Sequence, residues 1–163
     1  MRRFLFPLVL SGLLMIVIAG CQAHVTNLPQ GVPENEVRAW IAATGAVKVI
    51  ADSTKGVTDS VIALNAADPK VIPSDDYQKI LLVLGKTAQT GIHVDNVLKQ
   101  APSKFGDGTK QQILAEIQPL ITQMQAADLE GIFSRSQSPR MQAELVTVQT
   151  ITQSAQLLLA LVQ

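Results

Sequence analysis

The sequence predicts an all-α protein, an antiparallel up-and-down bundle of four helices that follows a cleaved N-terminal signal peptide. Four segments carry apolar residues in alternating steps of three and four, which is the spacing of one helix face. Short stretches containing proline, glycine or aspartate separate these segments, so neighbouring helices run in opposite directions. Aromatic residues make up only 4% of the chain. The core must therefore consist of aliphatic side chains, which suits helices packed on helices.

The first helix is predicted over residues 34–67. Pro33 suits a first helical turn, and the acidic Glu34 and Glu36 interact favourably with the positive end of the helix dipole. Asp68 and Pro69 end the segment. It is either one helix roughly 50 Å long or two helices broken near Gly56, because glycine costs about 1 kcal/mol relative to alanine. The inward stripe comprises Trp40, Ala43, Val47, Ile50, Thr54, Val57, Val61 and Leu64.

The second helix is predicted to begin at Ser74, with Ser74 as the N-cap and Asp75 and Asp76 in its first turn. It ends before Pro102. His93 is expected on the surface, because it lies outside the apolar stripe. That stripe comprises Ile80, Leu84, Thr87, Gly91, Val94, Leu98 and Ala101.

The third helix is predicted to follow a loop over residues 102–108. Thr109 and Gln112 fit a capping box at its start. Pro119 removes one backbone donor and is expected to kink the helix near Glu116. The inward residues are Ile113, Ile117, Leu120, Met124 and Ala127.

The fourth helix is predicted to follow a turn over residues 131–138. Ser138 as N-cap and Pro139 at the first helical position form a strong start signal. Its inward stripe comprises Met141, Leu145, Val148, Thr152, Ala155, Leu159 and Val162. For the whole bundle we expect one continuous core that includes Trp40, Ile50, Leu84, Ile117, Leu145 and Leu159.

The fourth helix also lacks charge to an unusual degree, since none of the 19 residues after Glu144 is charged. Its other face carries Gln149, Gln153 and Gln156, which cost less to desolvate than charged side chains. The segment is too polar for a membrane span, which needs about 20 apolar residues. The three glutamines are therefore predicted to mark a contact, either with the core of the bundle or with another protein.

The N-terminal residues predict export. Arg2 and Arg3 precede an apolar stretch over residues 4–18, and small residues lead to Cys21, the only cysteine of the chain. A positive start, a short apolar run and a small-residue cleavage site are typical of a secretory signal peptide. At about 15 residues the run is shorter than the roughly 20 that a spanning helix needs. An ordinary cleaved signal and an uncleaved anchor remain alternatives.

The tetrapeptide Ile18-Ala19-Gly20-Cys21 resembles the lipobox of bacterial lipoproteins. This resemblance, which covers the signal alone, implies cleavage before Cys21, diacylglycerol on its sulfur and an acyl chain on its amino group. Gln22 rather than aspartate follows, a pattern similar to that of lipoproteins sent to the outer membrane of Gram-negative cells. The predicted organisation is a signal peptide (residues 1–20), a lipid anchor and flexible tether (21–33) and a helical domain (34–163).

Composition argues against several classes of function. Without Arg2 and Arg3 the chain keeps 11 basic and 13 acidic side chains, and the basic ones are scattered, so no nucleic-acid partner is expected. Lipidation would occupy the only thiol, and no histidine pair is spaced for a metal ion in a bundle. We therefore expect no metal, no cofactor and no enzymatic activity.

Two functional hypotheses remain. The first is a membrane-tethered structural or protein-interaction module of the cell envelope, whose partner is another envelope protein or a second copy of the chain. The second is a bundle that binds a small apolar ligand between its helices. Small or polar residues on the inward stripes, which would leave room for such a ligand, are Thr54, Thr87, Gly91 and Thr152.

Overall fold

The computed structural model describes residues 31–163, which form helices joined by short loops and contain no β-strand. The helices are α1 (Glu34–Ala67), α2 (Ser74–Gln100), α3 (Asp107–Ala126), α4 (Leu129–Arg135) and α5 (Pro139–Val162). The predicted all-α class is confirmed for this part of the chain. The predicted signal peptide and the lipid-attachment residue Cys21 lie outside the described residues.

Helix α1 is continuous from Glu34 to Ala67, so the alternative break near Gly56 does not occur. Gly56 is exposed, and the glycine therefore does not weaken the packing of α1 on the core. Pairs of opposite charge one turn apart follow the solvent side of the helix and favour its helical conformation. These pairs are Arg38 with Glu34, Lys48 with Asp52 and Lys55 with Asp59.

One continuous hydrophobic core receives side chains from all five helices. Ile50, Leu84 and Ile117 are each at most 1% exposed, as predicted. The other three expected core residues, Trp40, Leu145 and Leu159, lie half-buried against the same cluster. Trp40 stays at the boundary because its indole N–H donates a hydrogen bond to the carbonyl oxygen of Leu98, at 3.0 Å.

The starts of α2 and α3 differ from the prediction. In α2 the cap position is Pro73, so Ser74 is the first helical residue and not the N-cap. Helix α3 begins at Asp107, with Gly106 in the cap position and no capping side chain, so the expected capping box at Thr109 is wrong. Thr109 instead lies within the first turn, where Asp107 supplies the negative charge that favours a helix N-terminus. The preceding loop is held by Phe105, whose ring is 1% exposed.

The turn predicted over residues 131–138 is also incorrect, because most of it belongs to the short helix α4. Leu129, Ile132 and Phe133 follow the three-and-four spacing of one helix face, and all three are buried. Asp128 precedes them in the left-handed conformation, at φ 49°, and separates α4 from α3. Burial of this apolar face stabilises a helix of seven residues that is too short to be stable alone.

Helix α5 contacts more of the fold than any other helix. It packs on α1, on α3 and on α4, while α2 packs on α1, α3 and, less extensively, α4. Its start matches the prediction, since the Ser138 hydroxyl accepts a hydrogen bond from the Met141 backbone N–H at 3.4 Å and Pro139 occupies the first turn. Despite this packing, one side of α5 faces solvent along its whole length.

Candidate interaction surface

The solvent side of α5 is a continuous face without charge. We define this outer face by the following residues: Ala143, Val146, Gln149, Thr150, Gln153, Gln156, Leu157 and Ala160. Val146 is 56% exposed and Leu157 47% exposed. Aliphatic side chains are also exposed on α1 and α2, for example Leu82 and Ile92, so what distinguishes this face is its lack of charge. Gln153, one turn before Leu157 and two turns after Val146, is exposed between them. The outer face is therefore partly apolar, and its polar groups are amides and one hydroxyl.

The three glutamines that the sequence singled out lie together on this face. Gln153 and Gln156 are exposed and Gln149 is half-buried, so none of them enters the core. Burial inside the bundle therefore does not explain why these positions are uncharged. Within residues 31–163 their side-chain amides have no hydrogen-bond partner, whereas Gln142 donates to the Ser136 carbonyl oxygen at 2.8 Å.

Sequence reasoning missed that Val146 and Leu157 belong to the same face. The signal was available, because α5 carries two stripes that both follow the three-and-four spacing of a heptad repeat. The inner stripe is buried and comprises Val148, Ile151, Ala155, Leu158 and Val162. The outer stripe comprises Ala143, Val146, Thr150, Gln153, Leu157 and Ala160. A helix with two such stripes has a second side suited to contact with another helix.

The outer sides of α1, α2 and α3 are different. Besides the ion pairs of α1, Lys99 pairs with Asp95 on α2, and the Nδ1 atom of His93 lies 3.2 Å from a carboxylate oxygen of Glu116 on α3. His93 is exposed, as the sequence predicted. None of the ion pairs found in residues 31–163 involves α5, whose charged residues, Arg140 and Glu144, are confined to its first two turns.

A groove of about 570 Å³ lies at the end of the domain where the α1–α2 and α4–α5 loops meet. Apolar side chains such as Ile72 and Met141 line it, and Lys70, Asp76 and Arg135 add charges of both signs. A smaller cavity of about 290 Å³ lies between α3, α4 and α5 and includes Thr152. Both features open to solvent and lie at the surface of the domain.

Three of the four residues that could leave room for a ligand between the helices are packed instead, whereas the fourth, Thr152, is half-buried and lines the smaller cavity. Thr54, Thr87 and Gly91 are buried and line neither the groove nor the smaller cavity. The Thr87 hydroxyl donates to the Val83 carbonyl oxygen at 2.8 Å. A methyl group at Gly91 would lie 3.9 Å from the Ile50 side chain, which is ordinary van der Waals contact. Small residues therefore serve close packing of α1 and α2 here.

Two further features bear on function. Residues 31–163 contain no cluster of histidine, cysteine, aspartate and glutamate side chains that could hold a metal ion. The expectation that the last helix is too polar for a membrane span is not supported by its composition, because Pro139–Val162 is the described helix that is long and apolar enough to cross a membrane, and most of its residues are not buried in the domain. Its outer face nevertheless carries Gln149, Gln153 and Gln156, which are costly to place in hydrocarbon.

Comparison with protein families, with curated proteins and with solved structures gives no match to this chain. The functional argument therefore rests on the residues themselves. The feature that most clearly departs from an ordinary solvated surface is the outer face of α5, because exposed aliphatic and uncharged polar residues extend along it for five turns.

Proposed function

We propose that the protein is a membrane-tethered bacterial lipoprotein whose helical domain is a structural or protein-interaction module of the cell envelope. The observation that carries the interaction role is the charge-free outer face of α5, beside helices whose solvent sides bear ion pairs. Removing an uncharged face from water on binding another chain costs less free energy than removing a charged one. The membrane location rests on the resemblance of Ile18-Ala19-Gly20-Cys21 to a lipobox.

The finer architecture in this proposal is an antiparallel up-and-down bundle of the four long helices. Trp40 near the start of α1 bonds to Leu98 near the end of α2, which fits antiparallel neighbours. His93 in the second half of α2 lies beside Glu116 in the middle of α3, which fits the same arrangement. In such a bundle the outer face of α5 runs along the side of the domain and is accessible over its full length.

The membrane is the first partner in this proposal, through lipid on Cys21. Each buried CH₂ group contributes about 0.8 kcal/mol, so two or more acyl chains hold a protein stably on a bilayer where one chain does not. The twelve tether residues 22–33 that follow the cysteine span at most about 40 Å. With Gln22 after the cysteine, the expected location in a Gram-negative cell is the outer membrane, facing the periplasm.

Mass spectrometry of the mature N-terminus tests the anchor. We expect the mature chain to begin at Cys21 and to carry diacylglycerol and an acyl chain. The Cys21→Ser variant serves as the control, and it should remain unprocessed and carry no lipid. An unmodified cysteine, or cleavage at another residue, would contradict the proposal.

Charge substitutions test the interaction face. Gln153→Lys and Gln156→Glu should reduce the size of the native complex extracted from membranes with a mild detergent. Because both positions are exposed, the melting temperature should change little. Gln89→Lys on α2 and Gln118→Glu on α3 are matched controls, since both residues are exposed on other helices.

The two readouts separate the possible roles of this face. A smaller complex at an unchanged melting temperature supports an interaction surface. A lower melting temperature at an unchanged complex size would show that the residues serve the bundle itself through buried polar contacts. No change in either quantity would show that the outer face of α5 is ordinary solvated surface, and the proposed interaction role would be wrong.

A further inference from the structure

We infer that the outer face of α5 binds the same face of a second copy of this chain, with the two α5 helices antiparallel about a two-fold axis. This inference deepens the proposed function, on which it rests for the interaction role of α5, and names the partner. It follows from the heptad spacing of the outer stripe, from a symmetry in its residue types and from its lack of charge.

One residue type recurs at a constant spacing of seven residues beside the outer stripe. Glutamine recurs at every seventh position along one flank of the outer stripe, in the order Gln142, Gln149, Gln156 and Gln163. Three of these glutamines are exposed and Gln149 is half-buried. A constant seven-residue period keeps a row of side chains beside a neighbouring helix over several turns, as in a coiled coil.

The residue types along the stripe are symmetric about the middle of the helix. When the two-fold axis crosses α5 between Ile151 and Thr152, Ala143 faces Ala160 of the second copy. In the same register Val146 faces Leu157, the two large aliphatic residues of the face. Each apolar residue of the stripe thus meets an apolar residue. A two-fold interface requires this self-complementarity, because one surface must fit itself.

The polar residues obey the same symmetry. On the glutamine flank, Gln149 lies closest to Gln156 of the second copy, two positions out of the register of the stripe. Amide side chains carry both donors and an acceptor and are long enough to bridge this offset, so they can bond to each other. Gln142 lies closest to Gln163 with the same offset at each end of the contact, and Thr150 faces Gln153 near its centre. These pairings give hydrogen-bond partners to the three glutamine amides that have none within residues 31–163.

A parallel arrangement of the same helices fits less well. The flanking residues of a parallel coiled coil meet across the stripe at an offset of five positions. Gln156 would then face Leu161, and Gln149 would face Ser154. The amide of Gln156 would lose water without gaining a partner, which is unfavourable. The sequence of the face therefore favours the antiparallel pair.

Charge also favours a second copy. None of the outer-face residues is ionisable, and Glu144, the charged residue within the same stretch of α5, does not belong to that face. An antiparallel pair of outer faces therefore brings no like charges together and buries no unpaired charge. A partner that presents lysine or glutamate to this face would have to desolvate those groups against amides and methyl groups. Pairing with an identical uncharged face avoids this cost.

The expected dimer is weak in dilute solution. The stripe from Ala143 to Ala160 is about 26 Å long and about 10 Å wide, the width of one helix. Its area is therefore well below the roughly 800 Å² that each partner buries in a stable interface. Two copies held on one membrane meet at a much higher effective concentration, and this favours the pair without any added contact. The membrane-bound chain is therefore the sample in which to test it.

Disulfide cross-linking in membranes tests both the partner and the register. Two full-length variants, Val146→Cys and Leu157→Cys, are co-expressed with tags of different size, and isolated membranes are oxidised. Non-reducing gels then resolve mixed and like pairs by mass. We expect a several-fold excess of the mixed disulfide over either like pair. In the matched control, Ile92→Cys replaces the Leu157→Cys variant, because Ile92 is an exposed apolar residue on α2. This combination should give only the background amount of mixed disulfide.

Each result has a defined meaning. Equal or greater amounts of the like pairs would overturn the antiparallel register, and a mixed disulfide no stronger than that of the Ile92→Cys control would overturn the second copy as partner. If Gln153→Lys still reduced the native complex in that case, the proposed function would stand with a different partner. The Gln153→Lys substitution, added to both cysteine variants, should remove the mixed disulfide, and its persistence would contradict the assigned face.

Discussion

Truncating Leu84 tests whether the core is formed by the aliphatic stripes of the helices. Leu84 lies on α2, is 1% exposed and belongs to the continuous core cluster. Leu84→Ala removes three carbon atoms, which at about 0.8 kcal/mol each lowers the free energy of unfolding by about 2.4 kcal/mol. Incomplete collapse of the surrounding side chains adds a cavity contribution, so the total loss should be roughly 3–4.5 kcal/mol.

The same helix supplies the control for this experiment. Leu82 is 60% exposed, two residues away on the opposite side of α2, so Leu82→Ala removes the same atoms with little lost burial. Its cost should be within about 0.5 kcal/mol, as is usual for surface positions. Urea denaturation of the unsubstituted chain and of the two variants, monitored by circular dichroism, measures the differences in free energy of unfolding. Equal effects of the two substitutions, or a loss below about 0.5 kcal/mol for Leu84→Ala, would refute the assignment of the stripe.

Three further predictions concern stability. Thr54→Val should raise the free energy of unfolding by about 1 kcal/mol, because the buried Thr54 hydroxyl has no hydrogen-bond partner among residues 31–163. Thr87→Val should not stabilise the protein, because the Thr87 hydroxyl donates a hydrogen bond to the Val83 carbonyl oxygen. Urea denaturation of both variants compares their free energies of unfolding, and equal changes would contradict this explanation. Gly56→Ala should stabilise α1 by about 0.5–1 kcal/mol, since a methyl group there meets only open space, and an unchanged or lower melting temperature would argue against it. Ser138→Ala should cost about 1 kcal/mol through loss of the α5 cap, and a negligible change in denaturation would show that Pro139 alone defines the start of the helix.

The long helices were predictable because strong local signals begin and end them. Pro33 and the Asp68-Pro69 pair mark both ends of α1, and Ser138 and Pro139 mark the start of α5. Between these residues the apolar periodicity extends over many turns and is difficult to mistake for a strand. Gly56 made a break in α1 an alternative in the sequence. The helix is continuous, and the turns on both sides of Gly56 contribute buried residues to the core.

The short elements were not predictable in the same way. Helix α4 has seven residues, so Leu129, Ile132 and Phe133 form too few repeats to reveal a periodicity. Its stability comes from burial of those three side chains, which depends on the position of α5 and not on local sequence. The start of α3 was misplaced by three residues, from Gly106 to Thr109 in the cap position, because the capping pattern at Thr109 is also compatible with a first-turn position.

The candidate surface was predicted in part. The absence of charge after Glu144 led to Gln149, Gln153 and Gln156, and these residues do share one face. Val146 and Leu157 were missed because both stripes of α5 have the same spacing, and periodicity alone does not tell which of two apolar stripes faces the core. Only the positions of α1, α3 and α4 around α5 distinguish them.

Folding stability alone does not account for the composition of the outer face. Substitutions at exposed helix positions usually change stability by less than about 0.5 kcal/mol, so lysine and glutamate would be tolerated there. The solvent side of α1 shows that this domain accommodates them, for example in the Lys48–Asp52 pair at 3.1 Å. Threonine at position 150 is a poorer helix former than lysine, and Val146 and Leu157 expose apolar area to water. Neither feature stabilises the helical domain. Both fit the association that we propose, in which uncharged amides and aliphatic side chains are removed from water together.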